Sequence, residues 1–126
     1  VPTTIGNVAL NVTDLERSER FYVDVLGLEV LTRIDAPEVQ EIILGSSTGG
    51  SKLLLARHSD GRHVEPGGGM WKVYLDTDDS EAMFRRAVAA GAEPVAEPRH
   101  LERFKVTISF VRDPDGHLLE LGQQHQ

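Results

Sequence analysis

Apolar and polar positions alternate loosely over Ile5 to Val12, which predicts a β-strand. The period then becomes helical. Leu15, Ser18, Tyr22, Val25 and Leu26 fall on one face of a helix predicted over Leu15 to Leu26. Thr13 or Asp14 offers its N-cap, Thr13 with Glu16 fits a capping box, and Gly27 follows as a C-cap. Three further strands are predicted over Leu28–Ile34, Val39–Leu44 and Lys52–Ala56. His58 to Gly69, ending in Pro66-Gly67-Gly68-Gly69, has the composition of a linker. It is not a phosphate loop, because no Gly-Lys-Ser/Thr follows to open a helix.

The same order of elements then returns. Trp71–Asp76 predicts a strand, Asp78 with Glu81 a helix start, and Met83, Phe84, Ala87 and Val88 the apolar face of a helix that Gly91 closes. Glu93–Ala96 predicts a short strand ended by Pro98, and Phe104–Val111 another. Asp113-Pro114-Asp115-Gly116 is a strong turn signal, and Leu118–Leu121 completes a hairpin. Each half therefore reads βαβββ. Asn7–Leu10 can be laid on Lys72–Leu75, and Ile42–Ala56 on Ile108–Gly122 without a gap, which places Leu54 on Glu120 and indicates an internal duplication. The expected organisation is one domain over residues 1–126, with module one over 1–57, a linker over 58–70 and module two over 71–126.

Strand alternation assigns faces. Val8, Leu10 and Val12, Val73 and Leu75, and Leu119 and Leu121 should pack beneath helices. That leaves Asn7, Asn11, Lys72, Tyr74, Asp76 and Glu120 as a polar set on the other surface, with Leu54 on the same wall. Glu120 lies between two leucines, and a carboxylate there is costly to bury without a partner. Trp71 opens its strand beside the glycine loop and is a candidate for stacking on a flat ligand. His100 is expected on a loop able to cover the cleft.

Composition narrows the chemistry. The chain has 126 residues, a net charge of −7 and no cysteine. Thiol catalysis, disulfides and thiolate metal sites are excluded. The acidic balance argues against nucleic acid or an anionic membrane and suits a cationic ligand. No apolar run approaches transmembrane length and no secretory leader is visible, so a cytoplasmic protein is expected.

Three blocks carry a family resemblance: Val8-Ala9-Leu10-Asn11-Val12-Thr13-Asp14-Leu15-Glu16-Arg17-Ser18, then Phe21-Tyr22-Val23-Asp24-Val25-Leu26-Gly27-Leu28, then Phe110-Val111-Arg112-Asp113-Pro114-Asp115-Gly116 with Leu119-Glu120-Leu121. Together they resemble the vicinal oxygen chelate superfamily of glyoxalase I, extradiol dioxygenases, bleomycin- and fosfomycin-resistance proteins and methylmalonyl-CoA epimerase. The resemblance implies an α+β fold: two βαβββ modules forming a cupped mixed β-sheet with helices on the outside, and a homodimer.

It also implies where the family's metalloenzymes would hold a divalent metal: Asn7, Leu54, Lys72 and Glu120. Of these, Glu120 is a good ligand, the Asn7 amide a weak one, Leu54 offers no donor and the Lys72 ammonium has no lone pair. No metal and no cofactor is therefore expected, and Lys72 is expected to pair with Glu120 in the cation's place. Three functions remain open. The first is metal-independent binding of a small aromatic or cationic ligand. The second is a lyase, isomerase or epimerase, with Glu120 as base and Lys72 or Tyr74 stabilising an enolate. The third is a metal-dependent dioxygenase. Candidate catalytic residues are Glu120, Lys72 and Tyr74; candidate ligand-binding residues are Asn7, Asn11, Leu54, Trp71, Asp76 and His100.

Overall fold

The computed structural model describes residues 2–126 and divides into two compact units, the first ending at Val64 and the second starting at Glu65. Unit one contains β1 (Asn7–Asn11), α1 (Leu15–Glu19, continued by a wider turn over Arg20–Val25), β2 (Glu29–Asp35), β3 (Val39–Gly45) and β4 (Lys52–His58). Unit two contains β5 (Val73–Asp76), α2 (Ser80–Ala89), β6 (Glu93–Leu101), β7 (Val106–Arg112) and β8 (Leu118–Gln124). Each unit is βαβββ with a four-stranded mixed sheet, in the orders β1-β4-β3-β2 and β5-β8-β7-β6. In each, the first strand runs parallel to the last across the helical crossover, and the other neighbours are antiparallel.

The helix starts are set by aspartates one residue away from some of the expected positions. Asp14 caps α1, accepting from the Arg17 N–H at 3.0 Å. Asp79, not Asp78, caps α2, accepting from the Ala82 N–H at 3.0 Å. The first helix is not regular to its end. Leu26 N–H donates to the Phe21 carbonyl, five residues back, at 3.1 Å. This widened turn buries Phe21 together with Ser18, Tyr22 and Leu26, while Leu15 and Val25 stay half-buried. Gly27, at φ 85°, then closes the helix as a left-handed cap.

The core of unit one sets Leu10, Ile42, Leu44, Leu53 and Leu55 beneath these helical residues. Val8 shares their face through its pairing with Leu53 but stays 39% exposed on the edge strand β1. In unit two, α2 packs Phe84 and Ala87 over Val111, Leu119 and Leu121. Buried Ser80 anchors the helix to the sheet, with its Oγ 2.8 Å from Ser109 Oγ and donating to the Leu121 carbonyl at 2.7 Å.

Two of the strand limits that differ from expectation bear on the candidate residues. β6 does not stop before Pro98 but continues to Leu101. It is an edge strand, and its pairing with β7 shifts register on both sides of Ala96, so a residue without an N–H is tolerated there. β5 begins at Val73, leaving Trp71 and Lys72 in the segment that leads into it. The overlay of the halves also needs a one-residue gap. Leu44 pairs with Leu53 and Val111 with Leu119, so Leu44 corresponds to Val111 and Ile43 to Phe110. The difference lies in the hairpin loop, which covers 46–51 in unit one and 113–117 in unit two.

Candidate functional site

The turn before β8 fixes where Glu120 comes to lie. Asp113 Oδ1 accepts from the Asp115 N–H at 2.9 Å and the His117 N–H at 2.8 Å, and Gly116 N–H closes on the Asp113 carbonyl at 3.0 Å. Gly116 has φ 91°, a conformation a side chain would strain. The register that follows pairs Glu120 with Tyr74 on one side and Phe110 on the other. Residues directly opposite in a sheet share a face, so these three form a row on the face away from α2.

Lys72 reaches into this row. Its Nζ donates to Glu120 Oε1 at 2.6 Å, and the two side chains are 9% and 12% exposed. Three rings surround the ammonium: Trp71 at 3.9 Å from its centroid, Tyr74 at 4.6 Å and Phe110 at 5.3 Å. Each offers the negative face of its π-system to the cation. The hydrogen bond to Glu120 holds the Lys72 ammonium above the ordinary lysine value of 10.5; burial opposes this shift and Tyr74 adds to it. Removing both charges from water costs several kcal/mol per ion, so the attraction within the pair largely offsets burial instead of adding net stability. The outer surfaces of the cage are open, with Trp71 74% and Tyr74 64% exposed.

The remaining candidates are dispersed. Asp76 shares the face of Tyr74, opposite Gly122, and is exposed. His100 does not lie on a covering loop. It is in β6, opposite Thr107, on the helix side of the sheet and so away from Glu120. Its Nε2 is 2.8 Å from Glu102 Oε2, and its ring meets His125 edge-on at 5.1 Å. It borders a cavity of about 550 Å³ lined also by Glu81, Phe84, Arg85, Glu97, Pro98 and Thr107. Arg85 there is spent on an exposed ion pair with Glu81. Asn7, Asn11 and Leu54 belong to unit one. Asn7 and Asn11 are exposed on β1, Asn11 Oδ1 lies 2.9 Å from His58 Nε2, and Leu54 is half-buried between Ala9 and Ile43. Phe110 was missed from sequence. The ungapped overlay matched it to Leu44, a core position, when its counterpart is Ile43 on the opposite face.

The donor set does not suit a divalent metal. At the positions marked by the resemblance stand an amide, an aliphatic chain, an ammonium and one carboxylate, and the ammonium takes a carboxylate oxygen. Among the described residues no three His, Cys, Asp or Glu side chains gather as a metal-binding group. Nor is any helix among them long and apolar enough to cross a membrane.

The chain belongs to the Glyoxalase/Bleomycin resistance protein/Dioxygenase superfamily, whose profile matches residues 4–121. It is 30% identical over 119 residues to a lactoylglutathione lyase of Neisseria meningitidis serogroup A, covering 91% of this chain and 86% of that one. It is 31% identical over 120 residues to the lactoylglutathione lyase of Haemophilus influenzae, covering 92% and 89%. The fold is also that of Leishmania major glyoxalase I, with a TM-score of 0.84 at 22% identity, covering 98% of this chain and 88% of that one.

Proposed function

We propose that this member of the superfamily binds a small organic ligand on the open face of unit two without the divalent metal used by metalloenzymes of the family. The observation that carries the reading is the 2.6 Å contact between Lys72 Nζ and Glu120 Oε1. An ammonium fills the space beside the one strong donor, and Leu54 contributes none. Exposed Trp71 and Tyr74 supply flat apolar surface for the ligand beside a fixed charge pair. The homodimer expected from the resemblance is part of the same proposal.

The test is elemental analysis of protein purified without chelator, alongside a titration of Trp71 fluorescence with carbonyl metabolites and with cationic glycopeptides. Trp71 is the sole tryptophan, so the signal reports this face alone. Metal far below one equivalent, with saturable quenching, is the expected result. Stoichiometric zinc, nickel or iron that is lost on Glu120→Gln overturns the reading.

A second reading is favoured by the relatives near 30% identity, which are lactoylglutathione lyases. In it Glu120 takes a proton next to a carbonyl through Oε2, its oxygen not engaged by Lys72, and Lys72 or Tyr74 steadies the enolate oxygen. Incorporation of solvent deuterium into a bound carbonyl compound separates it from binding alone.

A further inference from the structure

The group around Lys72 has the composition of a receptor for an organic cation. Three aromatic faces and a carboxylate converge on one point, and the ammonium at that point belongs to the chain itself. A lysine that needed only a counter-ion would be satisfied by Glu120. Trp71, Tyr74 and Phe110 add three ring faces, each of which attracts a cation through its π-system. Two of those rings, Trp71 and Tyr74, are also largely exposed and so remain accessible to a ligand.

We propose that Trp71, Tyr74, Phe110 and Glu120 form a binding site for a primary or quaternary ammonium group, and that Lys72 fills it as a competitor built into the chain. The ligand class is an amine or alkylammonium compound whose cationic head replaces the Lys72 Nζ. This rests on the metal-free reading above, since a metal on Glu120 would leave no room for either cation. The net charge of −7 draws such ligands toward the protein. Lys72 makes the site selective. A tethered group competes at an effective concentration on the order of millimolar, so a free cation enters only when the rest of the ligand adds contacts, as on exposed Trp71. Lys72 sits outside β5, in the segment leading into it, and can leave the cage without breaking a ladder hydrogen bond.

The experiment uses the full chain. Wild type, Lys72→Ala and the double variant Lys72→Ala/Glu120→Gln are titrated with tetramethylammonium and with methylammonium, followed by Trp71 fluorescence. The uncharged 3,3-dimethylbutanol serves as the control for shape without charge. Lys72→Ala is expected to bind both cations at least about tenfold more tightly than wild type, a difference of about 1.4 kcal/mol. The double variant is expected to lose that gain, and the alcohol to bind poorly throughout.

A folded Lys72→Ala variant that binds neither cation overturns the proposal, as does one that binds the alcohol equally well. Should Lys72→Ala not fold, the wild type decides the matter by NMR. Ring currents must move the Lys72 ε-protons well upfield of those of the other lysines, and ordinary shifts overturn the cage. The metal content of the same wild-type preparation distinguishes the two failures. Bound metal sinks the metal-free reading, whereas a metal-free protein whose Lys72→Ala variant ignores alkylammonium sinks only this inference.

Discussion

In unit one, Leu54 lies between Ala9 and Ile43; at the corresponding place in unit two, Glu120 lies between Tyr74 and Phe110. Beneath both rows the same frame recurs. Leu55 and Leu121 are fully buried, the first strand is parallel to the last, and glycines of positive φ, Gly50 and Gly116, close the hairpins. The helix-facing side of each sheet was held to one solution by packing, because a leucine there has nowhere else to go. The opposite face was free to diverge. In one copy the row through Leu54 is apolar and neutral, and in the other the row through Glu120 gathers a cation, an anion and three aromatic rings. Function in this chain is therefore to be sought where the copies differ, and stability where they agree.

That division is broken most directly in the core. Leu55→Ala and Leu121→Ala delete the same side chain from equivalent, fully buried positions. Each should cost about 2–5 kcal/mol, read from urea denaturation, and the two costs should match to within about 1 kcal/mol. A large inequality would mean that the frames are alike in outline but not in packing.

The charged face responds differently. Glu120→Leu gives unit two the residue that unit one carries there, but leaves the Lys72 ammonium 9% exposed with no counter-ion. The expected loss is about 3 kcal/mol. Adding Lys72→Leu removes the stranded charge and should return stability to within about 1 kcal/mol of wild type, or above it. Two additive losses in this cycle would show that the side chains act independently, contrary to the 2.6 Å contact.

The frame was legible in the sequence because its signals are periodic. Alternation placed Tyr74, Asp76 and Glu120 on one face, and the resemblance placed Lys72 against Glu120. Where reading failed, the signal was aperiodic. Pro98 reads as the end of a strand unless one knows that the strand is at a sheet edge, so His100 was expected on a covering loop when it faces the helix side. The widened turn after Glu19 follows from no propensity, and it hid the burial of Phe21. No face was assigned along Phe104–Val111, so Phe110 was not among the candidates. In a strand, a shift of one position exchanges the two faces, and an overlay without a gap sets Phe110 against Leu44 instead of its true counterpart Ile43.

The smallest expected effect is the most specific to the difference between the units. Asn7 holds in unit one the place that Lys72 holds in unit two, and it has no proton to lose in the alkaline range. Lys72 does, and its hydrogen bond to Glu120 raises its folded value above 10.5. The folded state therefore holds this proton more tightly than the unfolded chain. The stability it contributes is fully present below the unfolded value and is lost as pH rises through the folded one. Urea midpoints of wild type and Lys72→Met, measured from about pH 8 to about pH 12, subtract the titration of every other group common to both. Their difference should be flat on the neutral side and should change above about 10.5 in the sense that wild type loses its advantage. A difference that stays level across the whole range would mean that the ammonium gains nothing from Glu120 on folding, and that the contrast between the two units is one of shape alone.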